Sequence, residues 1–399
     1  MHRPDAETAL RRDLDRCVKC GLCLPECPTY RLASDESESP RGRLALFEGL
    51  LDGHVGADSG ALRRHIDSCL TCRRCERVCP SQVPYGRLID AARERLPADG
   101  AQRLLGLLQR PRLQQLATAA ARAMPLGVSR PLGRLHRMHR VATALPRHGR
   151  PPAAGWHKAS TDPARGRVGL FAGCTGAAFQ PAALHAAVLL TRRAGFDVFV
   201  PARASCCGAL SAHAGDRATA DRLATETRAL FTPELDAVVS IASGCGIHLD
   251  AYEPPALPGH RDVCRFLVEH GELAARDFEP LDARVALHVP CSVENVYHGA
   301  DWARSLLQLV PGIRLQTIGE TGQCCGAAGD HMLRDPLRAA RLREPILNEL
   351  KTLASGPGAA TILVSSNVGC ALHLADGLQG QPVGVMHPVE LLAQQLKNA

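Results

Sequence analysis

The sequence has few aromatic residues, no long apolar run and no dinucleotide-binding fingerprint. Aromatic residues make up 4% of the 399 residues, whereas hydrophobic residues make up 45%, so we expect globular domains with aliphatic cores. No uninterrupted apolar stretch approaches the roughly 18–20 residues that a membrane span needs. No G-x-G-x-x-G motif follows an apolar strand, and no flavin site is evident. The length allows two or three domains.

Cysteine is the residue that is present in excess, with 17 in the chain. Short secreted proteins use many cysteines for a disulfide framework, but they begin with a signal peptide. Here the first residues read MHRPDAETALRRDLDRC, which is charged throughout. We therefore expect reduced thiolates that hold metal in the cytoplasm. The formal net charge of +7 is mild, and no nucleic-acid partner is expected.

Residues 101–165 contain no cysteine and are rich in Leu, Ala and Arg. Prolines interrupt this segment repeatedly, so we predict a basic linker of short broken helices. These prolines include Pro111, Pro125, Pro131, Pro146, Pro151 and Pro152. The simpler interpretation is a spacer packed on its neighbours. The alternative is a cationic surface that lies on acidic partners or lipid headgroups, with the protein peripheral on the inner face of the cytoplasmic membrane.

Residues 1–100 contain two cysteine runs, CVKCGLCLPECP and CLTCRRCERVCP. Both have the spacing C-x2-C-x2-C-x3-C-P of bacterial ferredoxins, in which the fourth cysteine of each run reaches the other cluster. The expected ligands are Cys17, Cys20, Cys23 and Cys79 for one [4Fe–4S] cluster, and Cys69, Cys72, Cys75 and Cys27 for the other. Zinc sites usually lack the third close cysteine and the proline. Helical spacing in RGRLALFEGLLDGHV between the runs predicts an α-helical ferredoxin-type domain.

An internal repeat begins near residue 167. RVGLFAGC recurs as RVALHVPC, SCCGALSAH as QCCGAAGDH, and AVVSIASGCGIHL as TILVSSNVGCALHL. Apolar runs that alternate with helix-like stretches indicate parallel α/β units. The sequence therefore predicts a multidomain protein in which two duplicated α/β domains, residues 166–278 and 279–399, follow the ferredoxin-type domain and the linker.

Each repeat contains four thiols near strand ends or in Gly-rich loops. They are Cys174, Cys206, Cys207 and Cys245 in the first unit, and Cys291, Cys324, Cys325 and Cys370 in the second. Four thiols per unit suit one metal centre per domain, and glycine lets backbone N–H groups approach sulfur. A redox disulfide is the alternative. Cys264 has no counterpart in the repeat and is expected to be a core residue.

These thiol patterns resemble the cysteine-rich CCG motif of heterodisulfide reductase and its relatives. The double ferredoxin run followed by two CCG units is similar to the iron–sulfur subunit of glycolate oxidase, over essentially the whole chain. The resemblance implies that separate FAD-containing subunits oxidise glycolate or another 2-hydroxy acid. This chain would pass electrons toward quinone or another respiratory acceptor. The resemblance identifies no catalytic residue in this chain.

Three alternatives stay open at this stage. One is the iron–sulfur subunit of an anaerobic glycerol-3-phosphate dehydrogenase, and another is a subunit with heterodisulfide-reductase-like chemistry. The third is a zinc-stabilised scaffold that docks a flavoprotein. Iron and zinc contents distinguish the last of these from an electron carrier.

The sequence departs from the full CCG motif at one position in each unit. The final C-x-x-C has lost its first cysteine, and Ala242 and Asn367 stand there instead. A cubane, an altered iron–sulfur cluster or a site without metal would each be compatible with four thiols. Candidate replacement ligands are His248, His373, His213 and His331, although a structural histidine is the simpler interpretation of each.

Overall fold

The computed structural model describes residues 3–98, 109–124, 134–145, 149–232, 234–252, 257–299, 301–319, 322–355 and 361–397. Within residues 3–98 the chain forms helices and turns without a strand, as the α-helical ferredoxin prediction requires. The helices are α1 (Arg3–Asp15), α2 (Pro28–Ala33), α3 (Pro40–Leu51), α4 (Gly60–Asp67), α5 (Arg74–Arg77) and α6 (Tyr85–Glu94).

Local signals set the position of α3, which lies between the two cysteine runs. The Ser39 side chain accepts a hydrogen bond from the N–H of Gly42, and Pro40 occupies the first turn. Leu44 and Phe47 then face an apolar core that they share with Leu88 of α6. Helix α3 is therefore fixed against the helix that follows the second cysteine run.

A buried ion-pair network links α3 to neighbouring parts of the ferredoxin-type domain. Arg43 is 1% exposed, and its guanidinium lies 2.9 Å from the Glu38 carboxylate. It also donates to the backbone carbonyl of His65 and to the Ser68 hydroxyl. Burial opposes ionisation of Glu38, but hydrogen bonds from Ser68 and His65, together with nearby arginine charges, outweigh it and hold the pKa below its usual range. Both charges are thus retained inside the domain.

Two described helices cross the predicted linker, α7 (Pro111–Ala123) and α8 (Arg134–Thr143). Helix α8 is tied to the second α/β unit, since Arg140 pairs with Asp376 at 2.9 Å. Pro125, Pro131 and Pro146 lie outside the described residues, and so do the helix breaks predicted at these positions. The described linker helices pack on their neighbours.

The first α/β unit contains a five-stranded sheet with strand order β1-β3-β2-β4-β5. Its strands are β1 (Gly155–His157), β2 (Gly166–Phe171), β3 (Phe196–Val200), β4 (Ala237–Ser240) and β5 (Arg261–Asp262). Its helices are α9 (Cys174–Phe179), α10 (Pro181–Arg193), α11 (Ala209–His213), α12 (Arg217–Arg228), α13 (Ser243–Asp250) and α14 (Val263–His270). Strands β2 to β5 pair in parallel.

Strand β1 is a difference from the sequence-based expectation, which placed residues 155–157 in the linker. It pairs antiparallel with β3 at the edge of the first sheet. Trp156 packs against Phe199, with ring centroids 5.2 Å apart. A strand of three residues is too short to show a hydrophobic period, so the sequence pattern alone did not reveal it.

The second α/β unit contains a four-stranded parallel sheet with order β7-β6-β8-β9. Its strands are β6 (Arg284–His288), β7 (Arg314–Ile318), β8 (Thr361–Ser365) and β9 (Val383–Met386). Its helices are α15 (Asp301–Leu307), α16 (His331–Arg334), α17 (Pro336–Ala354), α18 (Val368–Gly377) and α19 (Pro388–Gln395). A π-helical turn, Val293–Tyr297, follows β6.

The two α/β units share one apolar core. Leu184 and Leu190 of α10 belong to the same buried cluster as Val285 of β6 and Val389 of α19. The N–H of Glu279 also donates to the carbonyl of Gln395, which anchors the end of α19. Among the described helices, none has the length and apolarity needed to cross a membrane.

Replacing Arg43 with methionine is expected to destabilise the protein by about 3–5 kcal/mol, because it removes a buried cation from the network and leaves Glu38 with Arg338 as its remaining arginine partner. Denaturant unfolding under anaerobic conditions measures this. Arg314→Met is the control, since Arg314 pairs with Asp282 at the surface, where an ion pair contributes about 0–1 kcal/mol. Equal losses in both variants would contradict the structural role of the buried pair.

Candidate metal centres

The structure brings together the four thiols that the second ferredoxin-type set requires. Cys27 precedes α2, Cys69 and Cys72 lie in the loop before α5, and Cys75 lies in α5. Burial raises the pKa of Cys75 well above its usual range, and the nearby Cys72 and Cys69 raise it further. Cys27 contributes to the same effect, although it comes from the first run. This exchange of the fourth cysteine is the arrangement expected of a two-cluster ferredoxin.

The first ferredoxin-type set is nearer the surface. Cys20 is exposed, whereas Cys17, Cys23 and Cys79 are half-buried against the ferredoxin core. Burial raises the pKa of Cys23 to about 11, and Cys17 adds to the shift. Cys79 is supplied by the second run, so both runs contribute to each predicted set.

In the first α/β unit the four predicted thiols follow three adjacent strands. Cys174 begins α9 after β2, Cys206 and Cys207 follow β3, and Cys245 lies in α13 after β4. Because these strands are parallel, their carboxyl ends meet at one edge of the sheet, where open α/β folds bind ligands. The Sγ atoms of Cys174 and Cys206 are 3.7 Å apart. Cys207 interacts with both Cys206 and Cys245, which closes the set.

The second unit repeats this placement around β6, β7 and β8. Cys291 follows β6, Cys324 and Cys325 follow β7, and Cys370 lies in α18 after β8. The Sγ atoms of Cys325 and Cys370 are 3.0 Å apart. A hydrogen bond with Cys324 and burial raise the pKa of Cys291 well above its usual range. The wide cysteine spacing of the sequence therefore produces a compact group of thiols.

A glycine in the left-handed region follows each cysteine pair. Gly208 has φ +90° and Gly326 has φ +87°. A Cβ atom at Gly208 would lie 2.9 Å from the carbonyl oxygen of Ala220, and one at Gly326 would lie 2.7 Å from that of Ala339. Glycine is therefore required at both positions by backbone conformation and by close approach to a helix.

The positions of the two lost cysteines lie where the units meet. Ala242 is buried against Ala371 and Leu372 of α18. The Asn367 side chain accepts a hydrogen bond from the N–H of Gly369, capping α18, and donates to the Ser243 hydroxyl across the interface. The residues that replaced cysteine thus have structural roles here.

The four histidines considered as ligands have different surroundings in the structure. His213 lies 3.1 Å from Asp90 of α6, and so links the first unit to the ferredoxin part. Both ring nitrogens of His373 are near polar partners, Ala339 O at 3.1 Å and Arg343 Nη1 at 3.2 Å. His248 packs edge-on against Tyr252. His331 is buried and its Nε2 has no hydrogen-bond partner within the described chain.

A fifth histidine, which the sequence analysis did not single out, lies among the second-unit thiols. A ring nitrogen of His288 and the Sγ atoms of Cys325 and Cys370 all lie within 4.8 Å of one another. Among the described residues, these three side chains form the one group of three or more His, Cys, Asp or Glu residues with metal-binding spacing. Burial lowers the pKa of His288 to about 4, so its imidazole is neutral at neutral pH.

The ferredoxin part contacts the second unit through its thiol-bearing loops. Cys72, Cys291 and Cys324 belong to one apolar cluster with Leu70 and Leu342. Asn295 Nδ2 donates to the carbonyl of Cys72 at 2.9 Å and to that of Gly322 at 3.1 Å. Arg77 pairs with Glu294 beside it, at 2.8 Å. One ferredoxin-type thiol set therefore adjoins one α/β thiol set.

A cavity of about 1180 Å³ opens beside the first-unit thiols. Its walls include Cys206 together with apolar side chains such as Phe171 and Leu223. Arginine side chains supply cationic groups in the same lining: Arg110, Arg112, Arg203 and Arg222. The cavity can therefore admit a ligand that has both an apolar body and hydrogen-bond acceptors.

The donor set fits iron–sulfur centres. The two ferredoxin runs supply eight thiols in the spacing that [4Fe–4S] clusters use. The α/β thiols are mostly buried, and burial disfavours the charged form of a thiol unless a cation or hydrogen-bond donors offset it. Bound iron would supply that positive charge in each set.

Comparison with known proteins agrees with this arrangement. Residues 13–83 match the family described as 4Fe-4S dicluster domain, and residues 168–250 and 285–375 each match the cysteine-rich domain family CCG. The chain is 30% identical to a probable glycolate oxidase iron-sulfur subunit of Bacillus subtilis, over 96% of this chain and 94% of the relative.

Two further relatives extend the comparison. The glycolate oxidase iron-sulfur subunit of Escherichia coli is 30% identical, over 99% of this chain and 96% of its own length. A subunit of the fumarate reductase (CoM/CoB) of Methanothermobacter marburgensis is 23% identical, over 96% of this chain and 72% of the relative. The resemblance expected from the motifs is confirmed: the chain belongs to the family of glycolate oxidase iron–sulfur subunits.

Proposed function

We propose that this chain passes electrons from a separate FAD-containing subunit, which oxidises glycolate or a related 2-hydroxy acid, toward quinone. The observation that carries the proposal is the direct contact of Cys72 with the apolar cluster that holds Cys291 and Cys324. Thiol sets that adjoin one another inside one chain are what an electron carrier needs. The substrate chemistry is proposed to lie on a partner, as the resemblance to glycolate oxidase iron–sulfur subunits implies.

The proposed ligand sets are those of the sequence analysis. Cys17, Cys20, Cys23 and Cys79 hold one [4Fe–4S] cluster, and Cys69, Cys72, Cys75 and Cys27 hold another. Each CCG unit holds one further iron–sulfur or other metal centre on its own four thiols. When bound, such centres supply one-electron redox chemistry, with potentials set by ligand charge, hydrogen bonds and exposure.

The protein's own residues fix the relative position of these sets. Asn295 is held by the carbonyl of Gly322 within its own unit and donates to the carbonyl of Cys72, so the two thiol sets cannot move apart without breaking the hydrogen bond to Cys72. Leu70 and Leu342 are buried in the same contact and exclude water from it. A dry, fixed contact keeps the reorganisation on electron transfer small.

The cavity beside Cys206 supports quinone as the electron acceptor. A quinone has an apolar body and two carbonyl oxygens, and this cavity combines apolar walls with arginine donors. Because quinone is dissolved in the lipid, the proposal includes peripheral association with the inner face of the cytoplasmic membrane.

One alternative function has a specific observation in its favour. The relative from the fumarate reductase (CoM/CoB) matches over 96% of this chain, and its name includes CoM and CoB. Thiol–disulfide chemistry at a CCG unit would be the corresponding activity. The loss of one cysteine from each unit, at Ala242 and Asn367, counts against it.

Replacing Cys72 with serine is expected to abolish quinone reduction by the complex while sparing dye reduction by the flavoprotein. The reason is that Cys72 belongs both to its own thiol set and to the contact with the second unit. Steady-state assays with a quinone analogue and with an artificial dye, on the purified complex, separate the two activities. Unchanged quinone reduction would refute the proposed electron path.

Replacing Asn295 with leucine is expected to slow quinone reduction at least several-fold without changing iron content. The substitution removes both hydrogen bonds that hold the loops together but leaves every thiol in place. Asn348→Leu on the exposed face of α17 is the control and should behave as the unaltered protein. A normal rate in the Asn295 variant would mean that this contact does not limit transfer.

Replacing Cys325 with serine is expected to lower the metal content of the anaerobically purified chain, because it removes a buried thiol from the second-unit set. Two ferredoxin-type clusters account for about eight iron atoms per chain, and any metal above that belongs to the CCG units. Cys264→Ala is the matched control, since Cys264 is a buried core cysteine outside all four sets. Equal metal contents in the two variants would contradict a centre in the second unit. Zinc in place of the additional iron would favour the scaffold alternative.

A further inference from the structure

His288 occupies a position that suits a metal ligand and that the cysteine motif does not include. It is the last residue of β6 and is 2% exposed. One of its ring nitrogens lies within 4.8 Å of the Sγ atoms of both Cys325 and Cys370. Two residues of the second thiol set and this imidazole therefore converge on one point.

The two ring nitrogens of His288 have different surroundings. Nδ1 lies 3.0 Å from the hydroxyl oxygen of Ser365, the neighbouring residue on β8. Nε2 is buried and has no hydrogen-bond partner among the described residues. A buried polar atom left without a partner is energetically unfavourable. With the Nδ1 proton donated to Ser365, the Nε2 lone pair is available to a metal, as in many histidine metal sites.

The first unit lacks this arrangement at the equivalent positions. Phe171 stands where the second unit has His288, and its neighbour on β4 is Ser240, the counterpart of Ser365. The Ser240 hydroxyl lies 3.0 Å from Nε2 of His260, and Nδ1 of that ring lies 2.7 Å from Asp250. The first-unit histidine thus has partners on both nitrogens, and the two units differ in one potential ligand.

We propose that His288 Nε2 is a non-cysteine ligand of an iron–sulfur centre in the second unit, alongside Cys291, Cys324, Cys325 and Cys370. The imidazole supplies a fifth ligand in a unit where Asn367 stands in place of the fifth cysteine. This inference rests on the proposed function, because it requires metal in the second CCG unit. It makes the two CCG centres chemically different, with all-thiolate ligation in the first unit only.

Mixed ligation has a direct consequence for the potential. A neutral imidazole in place of a thiolate makes the centre less negative, and histidine ligation raises the potential of iron–sulfur centres. The second-unit centre is therefore easier to reduce than its thiolate-only counterpart would be. His288→Cys restores a thiolate at this position and is expected to shift its midpoint potential downward.

The test uses the full chain, anaerobically purified, with and without ¹⁵N-histidine labelling. Pulsed EPR of the oxidised and reduced protein should show a nitrogen coupling that changes on labelling. The coupling should disappear in His288→Cys, with iron content retained, and also in Cys325→Ser. It should persist in His331→Phe, since His331 lies in the same unit and also has an unpartnered Nε2 but belongs to no group with metal-binding spacing. If the centre is EPR-silent in both states, the difference in iron EXAFS between the unaltered chain and Cys325→Ser shows whether nitrogen is present.

The outcomes distinguish the His288 ligand from the presence of metal in the second unit. If Cys325→Ser loses iron but the unaltered chain shows only sulfur ligands, the His288 ligand is overturned and the second-unit centre stands. A nitrogen coupling that survives in His288→Cys would overturn it as well. An iron content that is the same in Cys325→Ser and in the unaltered chain would overturn both the ligand and the second-unit part of the proposed function.

Discussion

Burial disfavours the ionised form of a thiol unless a cation or hydrogen-bond donors offset it, and the cysteine sites of this protein are built under that constraint. In each α/β unit three parallel strands end at one sheet edge, which brings cysteines that are far apart in sequence together. Left-handed glycines at 208 and 326 turn the chain directly after each cysteine pair. In the ferredoxin part, the buried Arg43–Glu38 pair supports the loops that hold the thiols. Metal in these thiol sets, as proposed, would supply the positive charge that offsets burial of the thiolates.

The two α/β units share a plan but differ in their surroundings. The second unit adjoins the ferredoxin part through Cys72 and Asn295 and has His288 among its thiols. The first has Phe171 at that position and a large cavity beside Cys206. Both units contact the ferredoxin part, but the ferredoxin thiols lie beside the second-unit thiols, whereas the first-unit thiols lie beside the cavity. This difference fits the proposed electron carrier, in which the entry and exit centres need different properties.

Much of this could be predicted from the sequence, because the informative signals were local or repeated. The ferredoxin runs have a distinctive spacing, and the matching apolar runs predicted two units with parallel strands. The position of Cys72 in the same apolar cluster as Cys291 and Cys324 could not be predicted, since it depends on how the modules dock through Arg77, Glu294 and Asn295. His288 was missed because a single histidine inside an apolar strand has the pattern of a core residue. The repeat did contain a signal, the exchange of Phe171 for His288 at matching positions.

The proposed electron path through the CCG units needs redox-active iron there, and Mössbauer spectroscopy of the ⁵⁷Fe-enriched, anaerobically purified chain measures it. We expect more than about eight iron atoms per chain, with the spectrum of ordinary [4Fe–4S] clusters accompanied by at least one further component that changes on reduction. A spectrum with only two [4Fe–4S] clusters, and zinc or no metal in the remainder of the protein, would contradict it.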